Sequence, residues 1–417
     1  MNPKSVNAFL EAYNFQGLLY IKYKDKQHKF IHNLKGKHIK TNTLFPLGSI
    51  SKLYYGVLCV RLLQKKILKN LKIQIHKYFG KYQDLVPEQI TIMDLLVHNS
   101  GYFDLRSHPK FNKHKIYTLN EFVKFILTTK GMYHERDYGT GVYATTNYVL
   151  LSYILQKITK QSVYDLLEEY VFVPMKLTNT YFIHEVLEDK KLLVQMTKGH
   201  DDKLNLVLMP KYRTYFNGSE IVTNYPDLYR FIHKTKQLLG TKGWKYYIKP
   251  RKKTHGGQYM TIGGRTLFIN DHQFILSAGH FPGYHVSMIF HHSLNFIIIA
   301  LSNIDKVKSV VHMDDIAKWI AFSIINKTPF YILPKKAKKI SLKAMKQLVG
   351  MYSNDYGWYK VYIKDNKLII KSRKQTTPLI YLGNNRWYRN FFSYVEFTKE
   401  YLTVSYLNKE CFKLFKK

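Results

Sequence analysis

A serine followed three residues later by a lysine, at the start of a long apolar stretch, constrains this chain more than any other feature. Ser49 and Lys52 precede the run 53–63, in which Arg61 is the only charged residue. Residues i and i+3 share one face of a helix, so a helix that begins near Ser49 brings the hydroxyl and the amine together. Burial disfavours the charged form of a lysine, and a neutral amine can activate a serine, which is otherwise a poor nucleophile. The pattern predicts a nucleophilic serine on a buried helix.

A second copy of this spacing, Ser107 and Lys110, is predicted to be inert. It encloses Pro109 and has polar neighbours, and proline is poorly tolerated inside a helix because it lacks the backbone N–H. A motif of two residues is weak in a lysine-rich chain. The apolar run after Ser49, rather than the spacing alone, therefore carries the prediction.

The chain is strongly basic, with 65 lysines and arginines, 28 aspartates and glutamates and a formal net charge of +37. Such a charge attracts polyanions: nucleic acid, an anionic membrane surface or an anionic cell-wall polymer. The lysines are spread along the whole sequence, whereas a nucleic-acid groove usually shows a localised basic patch. We therefore expect no specific nucleic-acid partner, and electrostatic association with a membrane surface stays open.

The composition gives no sign of a metal, a cofactor or a disulfide framework. Cys59 and Cys411 are the only cysteines, which is too few for such a framework, and no Cys/His spacing typical of zinc occurs. The first 20 residues lack a signal-peptide core, and the longest apolar runs, such as 296–301, are far shorter than a membrane span. As written, the sequence predicts a cytoplasmic protein; a truncated N-terminus would imply an extracellular or cell-wall location.

Strand-like segments lie at both ends of the first 327 residues, with helix-like segments between them. The predicted strands are 16–23, 29–33, 266–269, 273–277, 284–291 and 295–302, and the predicted helices are 3–13, 49–63, 91–101, 118–127, 143–157, 163–171, 223–233 and 310–325. Thr91, Thr118 and Thr223 are the expected caps, Gly101 the expected end of its helix, and 234–253 an irregular segment. This order indicates an antiparallel sheet built from both ends of one domain, with a helical insertion.

The C-terminal part has a different character. Residues 328–340 contain Pro329 and Pro334, and four of the five residues 335–339 are lysines, which is typical of a linker. Residues 341–417 alternate short strands with turns. The predicted organisation is a main domain at 1–327, a linker at 328–340 and a small β-rich accessory domain at 341–417.

Four segments follow one another in the chain: Phe45-x-x-x-Ser49-x-Ser51-Lys52, Ile90-Thr91-x-x-Asp94-Leu95-Leu96-x-His98-x-Ser100-Gly101, Tyr143–Leu151 and Pro174–Thr180. Together they resemble the serine β-lactamase and penicillin-binding-protein superfamily, and most closely its class C β-lactamase-related hydrolases, which include D,D-peptidases and D-alanyl esterases of the cell envelope. The resemblance extends from about residue 16 to residue 325. It implies an α+β fold with an antiparallel sheet and a helical subdomain, followed here by a small all-β domain.

The resemblance implies a role for Tyr143. The second motif of the family, Y-x-N, is matched in order by Tyr143-Ala144-Thr145, whose tyrosine would relay a proton beside Ser49 and Lys52. Thr145 replaces the usual asparagine and lacks the paired donor and acceptor of an amide. The alternative is a packed aromatic in a chain with 35 tyrosines. A literal copy at 352–354 lies beyond the linker and is predicted to be a turn at the end of a strand.

The third motif of the family, K-T-G or H-x-G, is matched by Ser277-Ala278-Gly279. Ser277 stands where the family has a cation or an imidazole, and Gly279 would let a substrate backbone lie close to the strand. The backbone N–H groups of Ser49 and His280 would form the oxyanion hole. The alternative is a plain strand and hairpin turn. Because the departures fall at substrate-gripping positions, the resemblance favours a hydrolase of another ester or amide over an efficient β-lactamase.

We therefore expect a serine hydrolase that forms an acyl-enzyme at Ser49, with Lys52 as general base and Tyr143 assisting. The expected substrate is a D-alanyl group of the bacterial cell envelope, for example on teichoic acid, so that the partner is an anionic cell-wall polymer or a peptidoglycan-derived molecule. Three alternatives stay open: a D,D-carboxypeptidase, a weak β-lactamase and a non-catalytic wall-binding protein. The sequence does not set the oligomeric state.

Overall fold

The computed structural model describes residues 2–33, 38–112, 114–201, 203–208, 218–254, 258–305, 313–330, 338–354, 357–371, 376–390, 393–406 and 409–417. The chain divides into two compact units. The larger unit is Phe15–Lys306, and the smaller unit combines Met1–Asn14 with Val307–Lys417. The bounds 1–327, 328–340 and 341–417 inferred from the sequence stay a prediction.

The described part of the larger unit contains an antiparallel sheet of eight strands. Their spatial order is Lys26–His32, Gly17–Tyr23, Phe296–Ser302, Tyr284–His291, His272–Phe281, Arg265–Ile269, Tyr259–Met260 and Lys252–Lys253. Gly17–Tyr23 pairs along its whole length with Phe296–Ser302, with Leu19 opposite Ala300. The predicted sheet, built from both ends of the domain, is confirmed.

The helices of the larger unit follow the first two strands and precede the remaining six in the sequence. They are Ser51–Gln64, Ile92–Leu96, Leu119–Thr128, Thr146–Thr159, Val163–Leu167, the π-helical turn Glu168–Phe172, Val173–Met175, Ile183–Glu188, Lys190–Leu193 and Tyr225–Ile248. The 3-10 turns are Gly48–Ile50, His76–Tyr78, Gly80–Leu85 and Leu105–Ser107. Phe45–Pro46, Ile221–Thr223 and Thr180–Phe182 form a small sheet, and Ser100–Tyr102 pairs with Tyr133–Tyr138.

The helix Ser51–Gln64, which we call the serine helix, begins two residues after Ser49 and is almost completely buried. It buries 11 of its 14 residues. A helix that is apolar nearly all round is stable only when other elements surround it. Its apolar run therefore explains why helices and sheet both pack around it, and why a lysine near its start is buried as well.

Two predicted caps are confirmed, and one predicted helix end is wrong. Thr91 and Thr118 each accept the N–H of the residue three positions later in a capping box. The helix after Thr91 ends at Leu96 rather than at Gly101. The reason is that His98 adopts a left-handed φ of 56°, which ends the helix before the glycine. Gly101 lies instead in the strand that follows.

The prediction that 234–253 is irregular is also wrong. Tyr225–Ile248 is helical on both sides of Gly240, whose φ of 63° interrupts the helix. Lysines dominate the exposed side, but aromatic and aliphatic residues on the other side are buried, and this burial stabilises the helix. The helix is capped by Asn224, whose side chain accepts from a backbone N–H in the first turn, and not by Thr223.

The described part of the smaller unit contains the helices Pro3–Ala12, Met313–Asn326 and Leu342–Gln347 and an antiparallel sheet of nine strands. The spatial order of these strands is Thr376–Pro378, Lys367–Lys371, Gly357–Lys364, Gly350–Asn354, Lys409–Lys416, Tyr401–Tyr406, Ser393–Phe397, Arg386–Asn390 and Ile380–Gly383. The predicted C-terminal all-β domain is confirmed. Residues 310–312 of the helix predicted at 310–325 lie outside the described residues.

The smaller unit has its own core, to which Tyr352 and Trp387 contribute. The prediction of a turn at 352–354 is wrong, because these residues lie in the strand Gly350–Asn354, where Tyr352 pairs with both neighbouring strands and is buried in this core. Within the described ranges, no helix is both long and apolar enough to cross a membrane.

Contact between two backbones fixes the segment before Ser49 against the sheet. A Cβ built on Gly279 would lie 1.8 Å from the Leu47 carbonyl oxygen. Gly48 has a φ of 51°, and a Cβ there would lie 2.9 Å from the His280 backbone nitrogen. The two glycines therefore allow the segment that carries Ser49 to lie directly on the strand of Gly279.

We expect Gly279→Ala to lower the free energy of unfolding by about 3 kcal/mol, the upper end of the usual cost of overpacking, because no rotamer relieves a clash between Cβ and a backbone oxygen. Gly139→Ala is the matched control. Its φ is 77° and nothing lies within 4 Å of its Cβ, so it carries only the backbone cost of roughly 1–2 kcal/mol. Urea unfolding measures both variants, and an equal loss in the two would contradict the close packing at Gly279.

Candidate active site

Ser49 lies in the 3-10 turn Gly48–Ile50, which we call the serine turn, directly before the serine helix. Lys52, in the first turn of that helix, places its Nζ 3.3 Å from Ser49 Oγ. The turn and the helix follow each other without a break, so the three-residue spacing brings the two side chains together. The hydroxyl and the amine are thus in direct hydrogen-bond contact.

Neutral groups surround the Lys52 amine, and the residue is only 1% exposed. Nζ donates to the Gly218 carbonyl oxygen at 3.0 Å and lies 3.5 Å from Ser219 Oγ. It also lies 5.0 Å from the centre of the Tyr148 ring and 5.5 Å from that of Tyr143. These contacts direct the amine at Ser49, and among the described residues no carboxylate forms an ion pair with it.

Tyr143 approaches Ser49 from a separate part of the chain. Its Oη lies 2.6 Å from Ser49 Oγ, and either oxygen can be the donor. Burial alone would raise the pKa of the Tyr143 hydroxyl, but the charges of Lys52 and Arg106 and the hydrogen bond to Ser49 outweigh it and lower the pKa below its ordinary value. The phenol is therefore able to give up its proton at a lower pH than a free tyrosine.

The buried His98 supports the loop that presents Tyr143. Its ring packs on Tyr143 with centroids 4.2 Å apart. Nδ1 lies 3.3 Å from the Ala144 backbone nitrogen and 3.2 Å from the side-chain amide of Asn147, and the hydroxyl of Ser100 donates to the amide oxygen of Asn147. The histidine of the second matched segment thus touches the tyrosine of the third.

His98 adds no charge to the site. Burial, together with the nearby charges of Lys52 and Arg265, holds its pKa well below the ordinary histidine value. The imidazole is therefore neutral at neutral pH. The cations that act on Tyr143 are consequently lysine and arginine side chains.

An ion pair anchors the other side of the Tyr143 loop. Asp104 accepts two hydrogen bonds from the Arg106 guanidinium, at 2.7 and 2.9 Å, and one from the Thr145 backbone N–H at 3.0 Å. Burial alone would raise the pKa of Asp104, but these bonds and the charge of Arg106 outweigh it and lower the pKa to about 2. Asp104 is therefore ionised throughout the physiological range and fixes the start of the helix Thr146–Thr159.

Thr145 does not reach Ser49 by any hydrogen bond found in the described part of the chain. Its side-chain oxygen is buried and has no hydrogen-bond partner there. The residue contributes its backbone N–H, which binds Asp104. Where the related motif has an asparagine, this chain thus has a buried hydroxyl.

The third motif lies on the strand His272–Phe281. Ser277 is 7% exposed, and its partner on the next strand is Met288. The imidazole of His280 contacts the Asp305 carboxylate, whereas its backbone nitrogen adjoins the serine turn. The main-chain N–H of His280, rather than its ring, is therefore the group available near Ser49.

Sequence reasoning missed the cations beside Tyr143. The Arg265 guanidinium carbon lies 5.8 Å from the centre of the Tyr143 ring, and Arg106 acts on the same hydroxyl. Both arginines are distant from Tyr143 in sequence and belong to none of the matched segments. The ordering of Asp104 two residues before Arg106 could have suggested an ion pair, but nothing in the sequence placed it at Tyr143.

Features elsewhere do not compete with this site. Ser107 and Lys110 are both exposed, so the second Ser-x-x-Lys copy lacks the burial of the first. A pocket of about 550 Å³ near Tyr117 and Tyr153 contains none of the residues around Ser49. Over the described ranges, no group of three or more His, Cys, Asp or Glu residues is placed to hold a metal ion.

Two curated proteins are similar to this chain over most of its length. Among curated proteins, the chain is 25% identical over 337 residues to a penicillin-binding protein of Bacillus subtilis (strain 168), covering 75% of this chain and 73% of that protein. It is 23% identical over 302 residues to the teichoic acid D-alanine hydrolase of Staphylococcus aureus, covering 66% and 72%.

The fold has a solved counterpart over its full length. The octameric penicillin-binding protein homologue from Pyrococcus abyssi matches with a TM-score of 0.65, 16% identity and coverage of 100% of both chains. The family model described as Beta-lactamase matches residues 4–321. This match covers most of the chain and includes every residue placed around Ser49, so the protein belongs to the β-lactamase family.

Proposed function

We propose that this protein is a serine hydrolase that forms an acyl-enzyme at Ser49 and acts on D-alanyl esters of an anionic cell-envelope polymer such as teichoic acid. The observation that carries the proposal is the position of Ser49 Oγ, which lies 3.3 Å from Lys52 Nζ and 2.6 Å from Tyr143 Oη. A serine held between an amine and a phenol of lowered pKa has the partners that nucleophilic catalysis requires.

Acylation begins when the Lys52–Tyr143 pair, having lost one proton, takes the proton of Ser49. Oγ then attacks the ester carbonyl carbon, and the negative charge that forms on the carbonyl oxygen is stabilised by the backbone N–H groups of Ser49 and His280. The carbon–oxygen bond to the alcohol breaks as Tyr143 returns the proton to that alcohol. A water molecule then gives up a proton to the same groups and attacks the acyl carbonyl carbon. The bond to Ser49 Oγ breaks, Oγ takes the proton back, and the acid is released.

Lys52 and Tyr143 act together on the serine proton in this scheme. Both side chains contact Ser49 Oγ, and the charge of Lys52 helps to lower the pKa of Tyr143. Tyr143 is the member closer to Ser49, at 2.6 Å against 3.3 Å for Lys52. We assign it the transfer of the proton to the leaving alcohol.

Two observations support a D-alanylated polyanion as substrate. The formal net charge of +37 favours a polyanionic partner, and a relative that matches most of the chain is named for the hydrolysis of teichoic acid D-alanine. Ser277 offers no charge where the family has a cation or an imidazole, and Thr145 offers no amide. Both departures favour an ester substrate over efficient hydrolysis of β-lactams.

We expect Ser49→Ala and Lys52→Ala each to reduce hydrolysis of a small activated ester, such as p-nitrophenyl acetate, by roughly 10³-fold or more. When catalytic residues act together, removing one of them costs about as much activity as removing all of them. Ser107→Ala is the matched control, since it changes the serine of the exposed second copy. It should retain wild-type activity. An active Ser49→Ala protein would refute the assignment, as would a loss confined to Ser107→Ala.

The pH dependence of acylation should reveal the lowered pKa of Tyr143. A lowered pKa populates the deprotonated form of Tyr143 at lower pH. The acylation rate should therefore rise with pH, and the midpoint of this rising limb should lie below the ordinary tyrosine pKa of about 10. Arg106→Gln removes a charge that lowers this pKa and should move the limb to higher pH. Tyr143→Phe should remove it.

Stopped-flow acylation by an activated ester between pH 6 and pH 10.5 measures these limbs. Tyr153→Phe is the control, because Tyr153 lines the pocket near Tyr117 and not the surroundings of Ser49. It should leave the pH profile unchanged. Identical profiles in wild type, Arg106→Gln and Tyr143→Phe would show that Tyr143 takes no part in the proton transfer.

The salt dependence of hydrolysis should differ between a polymeric anionic substrate and a small neutral one. Charges act over about 30 Å at 0.01 M salt but only about 3 Å at 1 M, and electrostatic steering raises encounter rates by roughly 10-fold or more. We expect D-alanine release from D-alanylated lipoteichoic acid to slow about tenfold between these salt concentrations, while hydrolysis of a neutral ester by the same protein changes little. Parallel salt curves would contradict the choice of a polyanion as substrate.

A further inference from the structure

We propose that Glu220 is a positioning residue, which directs the amine of Lys52 at Ser49 through the peptide group that joins Gly218 to Ser219. Glu220 belongs to none of the four matched segments, and the proposed mechanism gives it no part. The inference deepens the proposed function and rests on it, because this amine is the base that acts on Ser49.

The first observation is that Glu220 is completely buried although it carries a carboxylate. Its exposed fraction is 0%, and it directly precedes the strand Ile221–Thr223. Burying a charge is costly unless hydrogen bonds replace the lost water. Both carboxylate oxygens have such a bond: Oε2 accepts the backbone N–H of Ser219 at 2.7 Å, and Oε1 accepts the hydroxyl of Tyr55 from the serine helix.

The second observation is that the donor from the serine helix is itself held in place. Tyr55 keeps its proton, because burial, and after it the negative charge of Glu220, raise the pKa of its hydroxyl well above the ordinary value. The hydroxyl of Ser152, on the helix Thr146–Thr159, donates in turn to Tyr55 Oη at 3.4 Å. The carboxylate is therefore fixed by a network that reaches both helices.

The third observation is that a single peptide group connects the carboxylate with the amine. The Gly218 carbonyl and the Ser219 N–H belong to the same planar unit and point in opposite directions. The N–H end binds Glu220, and the carbonyl end accepts from Lys52 Nζ at 3.0 Å. A carboxylate at one end and an ammonium at the other both favour this orientation, and each strengthens the hydrogen bond of the other.

The segment 218–221 also has anchors that do not involve the carboxylate. The Ile221 N–H donates to Ser51 Oγ at 3.1 Å, and the Leu47 N–H donates to the Ile221 carbonyl at 2.8 Å. A Cβ on Gly218 would lie 2.9 Å from the Tyr148 ring, so the backbone there packs closely on the core. The segment can therefore keep its place without the charge of Glu220, and what the charge adds is the orientation of one peptide.

The first test compares wild type with Glu220→Gln, which keeps the shape of the side chain and removes its charge. The measured quantity is the rate constant for phosphonylation of Ser49 by a fluorophosphonate between pH 6 and pH 10.5. We expect the plateau at high pH to fall about 10-fold, since a misplaced catalytic group can cost up to about 100-fold. Without the negative charge, the Lys52–Tyr143 pair loses a proton more easily. The midpoint of the rising limb should therefore move to lower pH by about one unit.

The other charged and titratable groups around this network are the same in both proteins. Those around Lys52 and Tyr143 are Tyr148, His98, Asp104, Arg106 and Arg265, and the one beside Tyr55 is Tyr164. A moved midpoint therefore reports the charge at position 220.

Asp227→Asn is the matched control. Asp227 is also fully buried and accepts a backbone N–H, that of Asn179 at 2.6 Å, but it lies in the helix Tyr225–Ile248 and pairs with Arg230. The change should leave the plateau and the midpoint at their wild-type values. A Glu220→Gln protein that reacts more slowly with an unmoved midpoint has lost only structural support, and this result would overturn the inference. So would a profile identical with that of wild type.

A double-mutant cycle tests the link between the two charges without any catalysis. Glu220→Gln should lower the urea midpoint of unfolding more in the wild-type background than in the Lys52→Met background, where no amine remains at the carbonyl end of the peptide. Asp227→Asn should lower it equally in both backgrounds. Equal losses for Glu220→Gln in the two backgrounds would contradict the link.

The two measurements also separate this inference from the proposed function. If Ser49 is not phosphonylated while the cycle shows the expected difference, only the proposed function fails. If Ser49 is phosphonylated while the two changes are additive in the cycle, only the inference fails.

Discussion

The hydrogen-bonded contact among Ser49, Lys52 and Tyr143 is the interaction on which the rest of the site depends. Three pieces of the chain meet there: the serine turn, the first turn of the serine helix and the loop before the helix Thr146–Thr159. Each piece is held by something else. Close backbone packing at Gly279 fixes the serine turn, burial fixes the helix, and the pair of Asp104 with an arginine fixes the loop.

The charges around Tyr143 give this contact its chemical character. A buried phenol would ordinarily hold its proton more tightly, because burial disfavours the phenolate. Lys52 and Arg106 reverse that tendency, whereas burial, with the charges of Lys52 and Arg265, lowers the pKa of His98 and keeps it neutral. Positive charge is thus concentrated beside the Tyr143 hydroxyl, and only that of Arg106 is paired with a carboxylate, Asp104, among the described residues.

Features that depend on neighbouring residues could be predicted from the sequence. The contact of Ser49 with Lys52 and the caps at Thr91 and Thr118 follow from local spacing and local chemistry. The sheet built from both ends of the domain follows from the order of the predicted elements. The helix beyond Gly240 could not be foreseen, because its lysines mask a buried apolar side and burial overrides local composition. Elements that are stabilised mainly by tertiary contacts are therefore the ones that the sequence does not predict.

The charged residues around the site could not be predicted for the same reason. Arg106 and Arg265 approach Tyr143 only after distant parts of the chain have packed, and no motif marks either of them. The close approach of the Leu47 carbonyl oxygen to Gly279 was not foreseen either, and the role of Gly279 in binding a substrate stays a prediction. Motifs located the candidate reacting groups, whereas the charges and close contacts around them became visible only in the fold.

Intact-mass spectrometry with peptide mapping tests the central claim, an activated serine at position 49, most directly. The native protein would be incubated with a fluorophosphonate, which reacts with activated serines, and the modified peptide would be sequenced. The account predicts one added phosphonyl group on Ser49, and none on the Ser49→Ala protein. Labelling at another serine, or a native protein that stays unmodified while a known serine hydrolase in the same tube is labelled, would contradict it.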